Sequence, residues 1–139
     1  MKRFVLDASV ALAWFVDRQI APYATDVKQR LLAGDRAVVP SVWRLEVANG
    51  FVTAERRGIL TASDIAPALQ NLEIVIAQSI DESARPVPMR HVIATARQFQ
   101  LTAYDAEYLD TARRQQLSLA TLDRKLEQAA TQAGVQLVR

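Results

Sequence analysis

The chain has 139 residues, of which 50% are apolar and 23% charged, and this fits one ordinary domain spanning residues 1–139 that buries about two-thirds of its unfolded surface. Intrinsic disorder and a multi-domain layout are excluded. Lys and Arg number 17 against 15 Asp and Glu, a net charge of +2 too mild to mark a nucleic-acid partner by itself. There is no cysteine, so disulfides, thiolate zinc sites and a cysteine nucleophile are excluded, and any metal has to sit on oxygen or on the lone His91.

The opening Met1-Lys2-Arg3-Phe4-Val5-Leu6 imitates a secretory signal, but Asp7 breaks the apolar stretch and Val10 to Val16 adds only seven uninterrupted apolar residues. No segment approaches the ~20 apolar residues of a membrane span. A soluble, cytoplasmic protein without a membrane partner is the expectation.

Phe4-Val5-Leu6 reads as a short buried strand that stops at Asp7-Ala8-Ser9, and Val10 to Phe15 suits a buried helix. A second helix runs from Pro22 to Leu32 and stops at Gly34, before a strand at Ala37-Val38-Val39. Pro40 and Ser41 open a helix through Trp43, Val47 and Phe51 to about Arg57, with Gly58 as its C-terminal cap. Thr61 and Asp64 stand at capping-box spacing at the start of the next helix. Ile74-Val75-Ile76 reads as a strand. Pro86 and Pro88 mark a turn or helix entry, and Val92, Ile93, Ala96 and Phe99 repeat at helical spacing. Leu101-Thr102-Ala103 reads as a strand leading to a helix from Asp105 to about Gln115. A strand at Ser118 to Thr121, a helix from Asp123 to Ala133 capped by Gly134, and a last strand at Val135 to Val138 complete the order. Alternating strands and helices predict an α/β fold, a mainly parallel central sheet flanked by helices on both faces.

Asp7, Asp105 and Asp123 each follow a strand candidate and precede a helix. In open parallel sheets the C-terminal ends of the strands form the ligand crevice, so these carboxylates can converge although they are far apart in sequence. The competing role for each is a helix N-cap, a position that Asp favours strongly. Glu46 lies inside a helix among Leu45, Val47 and Ala48, with Asn49 on the same face. It needs a positive partner, either Arg44 or another arginine in a salt bridge, or a metal shared with the other acids. An acidic, cysteine-free pocket suits Mg²⁺, or Mn²⁺, better than zinc.

In order and spacing the residues resemble a PIN-domain protein, specifically the VapC-type toxins of VapBC toxin-antitoxin systems. The resemblance is carried by Val5-Leu6-Asp7-Ala8-Ser9, Glu46 with Asn49, Thr102-Ala103-Tyr104-Asp105-Ala106-Glu107-Tyr108-Leu109, and Leu119-Ala120-Thr121-Leu122-Asp123. It implies a PIN-like α/β/α sandwich and a Mg²⁺-dependent endoribonuclease whose catalytic and metal-binding acids map onto Asp7, Glu46, Asp105 and Asp123. Ser9, Asn49 and Thr121 fall into place as polar supports, with RNA as substrate, a VapB-like antitoxin as partner, and a homodimer. Asp110 departs from the family pattern, which often has a small residue or a glutamate there. As it lies five positions beyond Asp105, it is rotated by roughly 140° and should point away from the crevice.

Arg56-Arg57, Arg113-Arg114 and Arg124-Lys125 are candidates to line an RNA path, with complementing of helix dipoles as the competing role, favoured for Arg113-Arg114. His91 is expected on a helix surface. Trp14, Trp43, Tyr104 and Tyr108 suit base stacking or the core. Trp14, Phe15, Trp43 and Phe51 are expected to lie partly under an antitoxin. Two other functions fit less well. One is a catalytically silent PIN-like protein- or RNA-binding module whose acids only cap helices. The other is a phosphoacceptor receiver domain, which needs an acidic pair near its first strand and a late lysine, whereas this chain has a lone Asp7 and no lysine beyond Lys125.

Overall fold

The structure, a computed structural model, describes all residues from Met1 to Arg139. In chain order the elements are β1 (Arg3–Leu6), α1 (Ala8–Val16), α2 (Pro22–Leu32), β2 (Arg36–Val38), α3 (Val42–Arg56), α4 (Ala62–Ser79), β3 (Ile80–Asp81), α5 (Met89–Phe99), α6 (Ala103–Gln115), β4 (Ser118–Ala120) and α7 (Arg124–Gln132). The strands form one parallel sheet in the order β3-β2-β1-β4. Val5 of central β1 pairs with Val38 of β2 and with Leu119 of β4. Strands buried on both faces read as unbroken apolar runs, which is why Phe4-Val5-Leu6 carries no polar alternation.

Helices cover the sheet: α1 packs on α2 and α3, while α6 packs on β1, β4, α5 and α7. A single core of 30 residues joins them. Trp43 and Tyr108 are its largest fully buried members, and Trp14 donates its indole N–H to the Ala24 carbonyl at 2.8 Å. Trp14, Trp43 and Phe51 are therefore interior and offer an antitoxin no surface, and of the four only Phe15, half-buried against Phe51, is partly exposed.

Several local expectations hold. Thr61 and Asp64 form the reciprocal capping box at the start of α4. Gly58 (φ 72°) and Gly134 (φ 77°) take up the left-handed conformation that ends α3 and α7. His91 is exposed on α5.

Three strand expectations fail. Ile74-Val75-Ile76 lies inside α4, and the strand begins only at Ile80: Leu72, Val75 and Ser79 are buried at helical spacing, while Ile74 is 54% exposed. Leu101-Thr102-Ala103 is no strand, because α5 ends at Gln100 in the left-handed conformation and Thr102 already caps α6. Val135 to Val138 contributes only an isolated bridge, Leu137 to Leu119, on the outer side of β4.

Candidate functional site

The strand order switches direction at β1, whose neighbour β2 follows it in the chain while β4 arrives from the far end. At such a switch point the connections leave in opposite directions and a crevice opens beyond the strand ends. Asp7 directly follows β1, and Thr121, Leu122 and Asp123 directly follow β4. A cleft of about 400 Å³ lies there, lined by Asp7, Glu46, Asp105 and Asp123 together with Ser9 and Asn49.

Asp7 occupies the N-cap position of α1 but makes no capping bond. Its Oδ2 accepts instead from Ser9 Oγ at 2.7 Å and from Thr121 Oγ1 at 2.8 Å. Ser9 Oγ in turn accepts from the Leu122 N–H, and Thr121 Oγ1 from the Asp123 N–H, each at 3.0 Å. A hydroxyl carries one proton, so with an amide donating to each oxygen both protons are committed to Asp7. Asp7 Oδ1 is the oxygen left for a ligand. The network also ties the start of α1 to the β4–α7 connection.

The other acids are held differently. Asp123 does cap α7, with Oδ1 accepting from the Leu126 N–H at 3.1 Å, and it lines the cleft as well. Asp105 does not stand at a strand end: it is the third residue of α6, and its backbone N–H is capped by Thr102 Oγ1 at 3.1 Å. Glu46 projects from α3, and its Oε1 is buried without a hydrogen-bond partner. Arg44 does not neutralise it, since Arg44 pairs with Glu82. Asp110 is absent from the cleft and sits in the α5–α6 interface, accepting from Thr95 Oγ1 at 2.7 Å.

No ion pair neutralises the acids of the cleft. The protein's two ion pairs, Arg3–Asp81 and Arg44–Glu82, involve none of these four. Burial, then the charges of Asp7 and Asp123, push the Asp105 carboxyl up to about 6. Burial likewise raises Asp7, against the opposing pull of the Ser9 and Thr121 hydrogen bonds. Glu46 is raised by burial and by the charges of Asp7 and Asp105. Such a set costs free energy until something positive enters.

The PIN-domain family model matches residues 4–132. The chain belongs to the PIN-domain family. Solved structures agree on the fold: the crystal structure of PAE2754 from Pyrobaculum aerophilum is similar with a TM-score of 0.71, at 22% identity, over 92% of this chain and 86% of that one. None of the curated protein sequences matches the chain. PIN domains are generally metal-dependent nucleases and typically use divalent ions. No helix of this PIN domain is long and apolar enough to cross a membrane.

The residues fit a hard divalent cation. The donors are carboxylates, no ion pair involves them, and Glu46 Oε1 is buried without a hydrogen-bond partner. As oriented, no three acidic or histidine side chains close into a metal cage. Magnesium needs only one or two direct carboxylates, with water completing its shell.

Two residues named from the sequence take places that the sequence did not specify. Tyr108 is a fully buried phenol whose hydroxyl faces Glu46 closely enough to bear on its proton affinity, yet neither that hydroxyl nor Glu46 Oε1 has a hydrogen bond of ordinary geometry. Sequence spacing alone gave no sign of this approach, because Glu46 lies 62 positions away on α3. Arg57 lines the cleft while its neighbour Arg56 does not, a distinction that only the register of α3 reveals.

Proposed function

We propose that the protein is a Mg²⁺-dependent endoribonuclease, with Mn²⁺ as an alternative ion, acting as the toxin of a VapBC-type toxin-antitoxin system. The observation that carries this reading is the cleft itself, in which Asp7, Glu46, Asp105 and Asp123 meet and none of them is held in an ion pair. Acids that served only as helix caps would not need to converge, and the Asp7 side chain, at the N-cap position of α1, makes no capping hydrogen bond.

When bound, a divalent cation supplies charge stabilisation for the phosphodiester and a water of lowered pKa. Asp7 offers Oδ1 because Ser9 and Thr121 occupy Oδ2 and fix the plane of the carboxylate. Asp105 and Asp123 approach from the first turn of α6 and the start of α7, where helix N-termini favour negative charge. Burial, opposed by the Tyr108 hydroxyl, and the charges of Asp7 and Asp105 raise the Glu46 carboxyl above its ordinary value, so it takes up a proton more readily than a free glutamate. Asn49 adds a neutral donor on the same face of α3. No side-chain nucleophile is required.

The toxin role rests on the resemblance, and with it come a VapB-like antitoxin and a cytoplasmic location. Leu45, 73% exposed, and Val52 form an apolar stripe on α3 beside the cleft that an antitoxin can cover. A homodimer is supported by exposed Met89 and Ile93 on α5 and Tyr104 on α6. The test is incubation of the purified protein with single-stranded RNA in Mg²⁺, Mn²⁺ or EDTA, and growth after induction with and without the neighbouring gene. Internal cuts that EDTA abolishes, with growth arrest relieved by the neighbour, are expected. Intact RNA in every metal would contradict the reading.

A further inference from the structure

Along α3 and its C-cap, Glu46, Asn49, Gly50, Thr53, Ala54 and Arg57 line the cleft at helical spacing, as one stripe. At ~1.5 Å per residue the stripe is ~16 Å long, further than a single nucleotide reaches. Its composition is graded. A carboxylate stands at one end, an amide, a gap and a hydroxyl in the middle, and a guanidinium at the other end. Across from it, Leu12 and Val16 of α1, with Ile59, form an apolar wall. Gly50 lets Leu12 pack directly onto α3, since a Cβ there would lie 2.3 Å from Leu12 Cδ2.

Arg57 is the only lysine or arginine lining the cleft. It is exposed, and neither of the protein's two ion pairs uses it. Arg56, about 100° further round the helix, is equally exposed but outside the cleft. We propose that Arg57 is a substrate-positioning residue that holds a phosphate of the RNA strand more than one nucleotide away from the scissile one. This rests on the ribonuclease reading above. An acidic site repels a polyanion. A cation placed a helix's length from it captures the strand and sets the direction in which it lies, while the apolar wall of Leu12, Val16 and Ile59 receives the base or ribose between. The competing role is complementing the C-terminal dipole of α3, which Arg57 also satisfies by its position.

The test compares Arg57→Gln, Arg57→Lys and Arg56→Gln. Binding of fluorescent single-stranded RNAs of increasing length is measured in the non-cleaving Asp7→Asn background across a salt series, and cleavage in the otherwise native protein. Arg57→Gln should weaken binding several-fold for long oligomers but not for dinucleotides. It should also flatten the plot of log K against log[salt] by about 0.7, one phosphate contact on a single strand. Arg57→Lys should keep the slope, Arg56→Gln should match the parent, and in cleavage KM should rise with kcat unchanged. Equal effects of Arg56→Gln and Arg57→Gln would overturn the proposal, as would an unchanged slope accompanied by a lower Tm. An Arg57-dependent slope without any cleavage by the native protein would retain this inference and remove the ribonuclease reading. Cleavage indifferent to Arg57 would do the reverse.

Discussion

Thr121 Oγ1 donates a 2.8 Å hydrogen bond to Asp7 Oδ2 across 114 positions of sequence, while accepting from the Asp123 N–H. One buried hydroxyl thus sets the orientation of one acid and the backbone of another. Thr121→Val preserves shape and removes both bonds. It should lower unfolding free energy by about 1–3 kcal/mol, the cost of leaving buried polar groups without partners, as read from urea denaturation. It should also weaken RNA cleavage, because Asp7, already raised by burial, loses one of the bonds that favour its ionised form. A variant as stable and as active as the parent would show the network to be incidental.

Asp105 sets a pH dependence with a definite sign. Its carboxyl is raised from 3.8 to about 6, first by burial and then by Asp7 and Asp123. The metal-free fold therefore gains stability from the protonated form, which is full below the unfolded value and is lost as pH rises from 3.8 to about 6. Thermal unfolding in EDTA should show Tm falling across that window and levelling above it. Asp105→Asn should raise Tm at pH 7.5 by roughly 3 °C for each ~1 kcal/mol of repulsion removed, with no gain below pH 4. Saturating Mg²⁺ or Mn²⁺ should raise the parent's Tm at pH 7.5, less at pH 5 where protons compete, and not that of Asp105→Asn. A parent protein whose Tm rises between pH 4 and pH 6 in EDTA would contradict the assignment.

How much of this was legible beforehand follows from which interactions are local. β1, α1 and β4 are declared by short apolar runs ending at Asp7 and Asp123, and Thr61 with Asp64 declares a helix start within four residues. The family pattern brought the four acids together before any coordinates did. Ile74-Val75-Ile76 misled because a β-branched run suits a strand locally, whereas tertiary packing buries only Val75 fully and leaves Ile74 in solvent. The α5–α6 junction was hidden because Gln100 ends α5 in the left-handed conformation without glycine, as Gln116 does at the end of α6. Within the site, the Ser9–Asp7–Thr121 network and the Tyr108–Glu46 approach join distant segments, which composition and spacing do not encode.

Asp123 and Asp110 separate the candidates for the fourth acid. Asp110 is buried against Thr95 outside the cleft, as its helical rotation from Asp105 requires, whereas Asp123 lines the cleft. Asp123→Asn should lower single-turnover cleavage at least tenfold, or ~1.4 kcal/mol of transition-state stabilisation. The cap of α7 survives that change, since Asn is an equally good N-cap acceptor for the Leu126 N–H. Asp110→Asn should alter the rate less than about threefold, a difference below ~1 kcal/mol. Circular dichroism checks that both variants fold. The reverse ranking would remove Asp123 from the site.

The most direct measurement is single-turnover cleavage of one single-stranded RNA by the native protein and by Asp7→Asn, at saturating Mg²⁺ and in EDTA, with unfolding curves on the same samples. Asn keeps an oxygen to accept from Ser9 and Thr121 but loses the charge that holds a divalent ion. The expected result is internal cleavage by the native protein in Mg²⁺ alone, none by Asp7→Asn in either condition, and folded protein throughout. Cleavage by folded Asp7→Asn at the native rate, or native cleavage that persists in EDTA, would contradict a metal-dependent site built on Asp7.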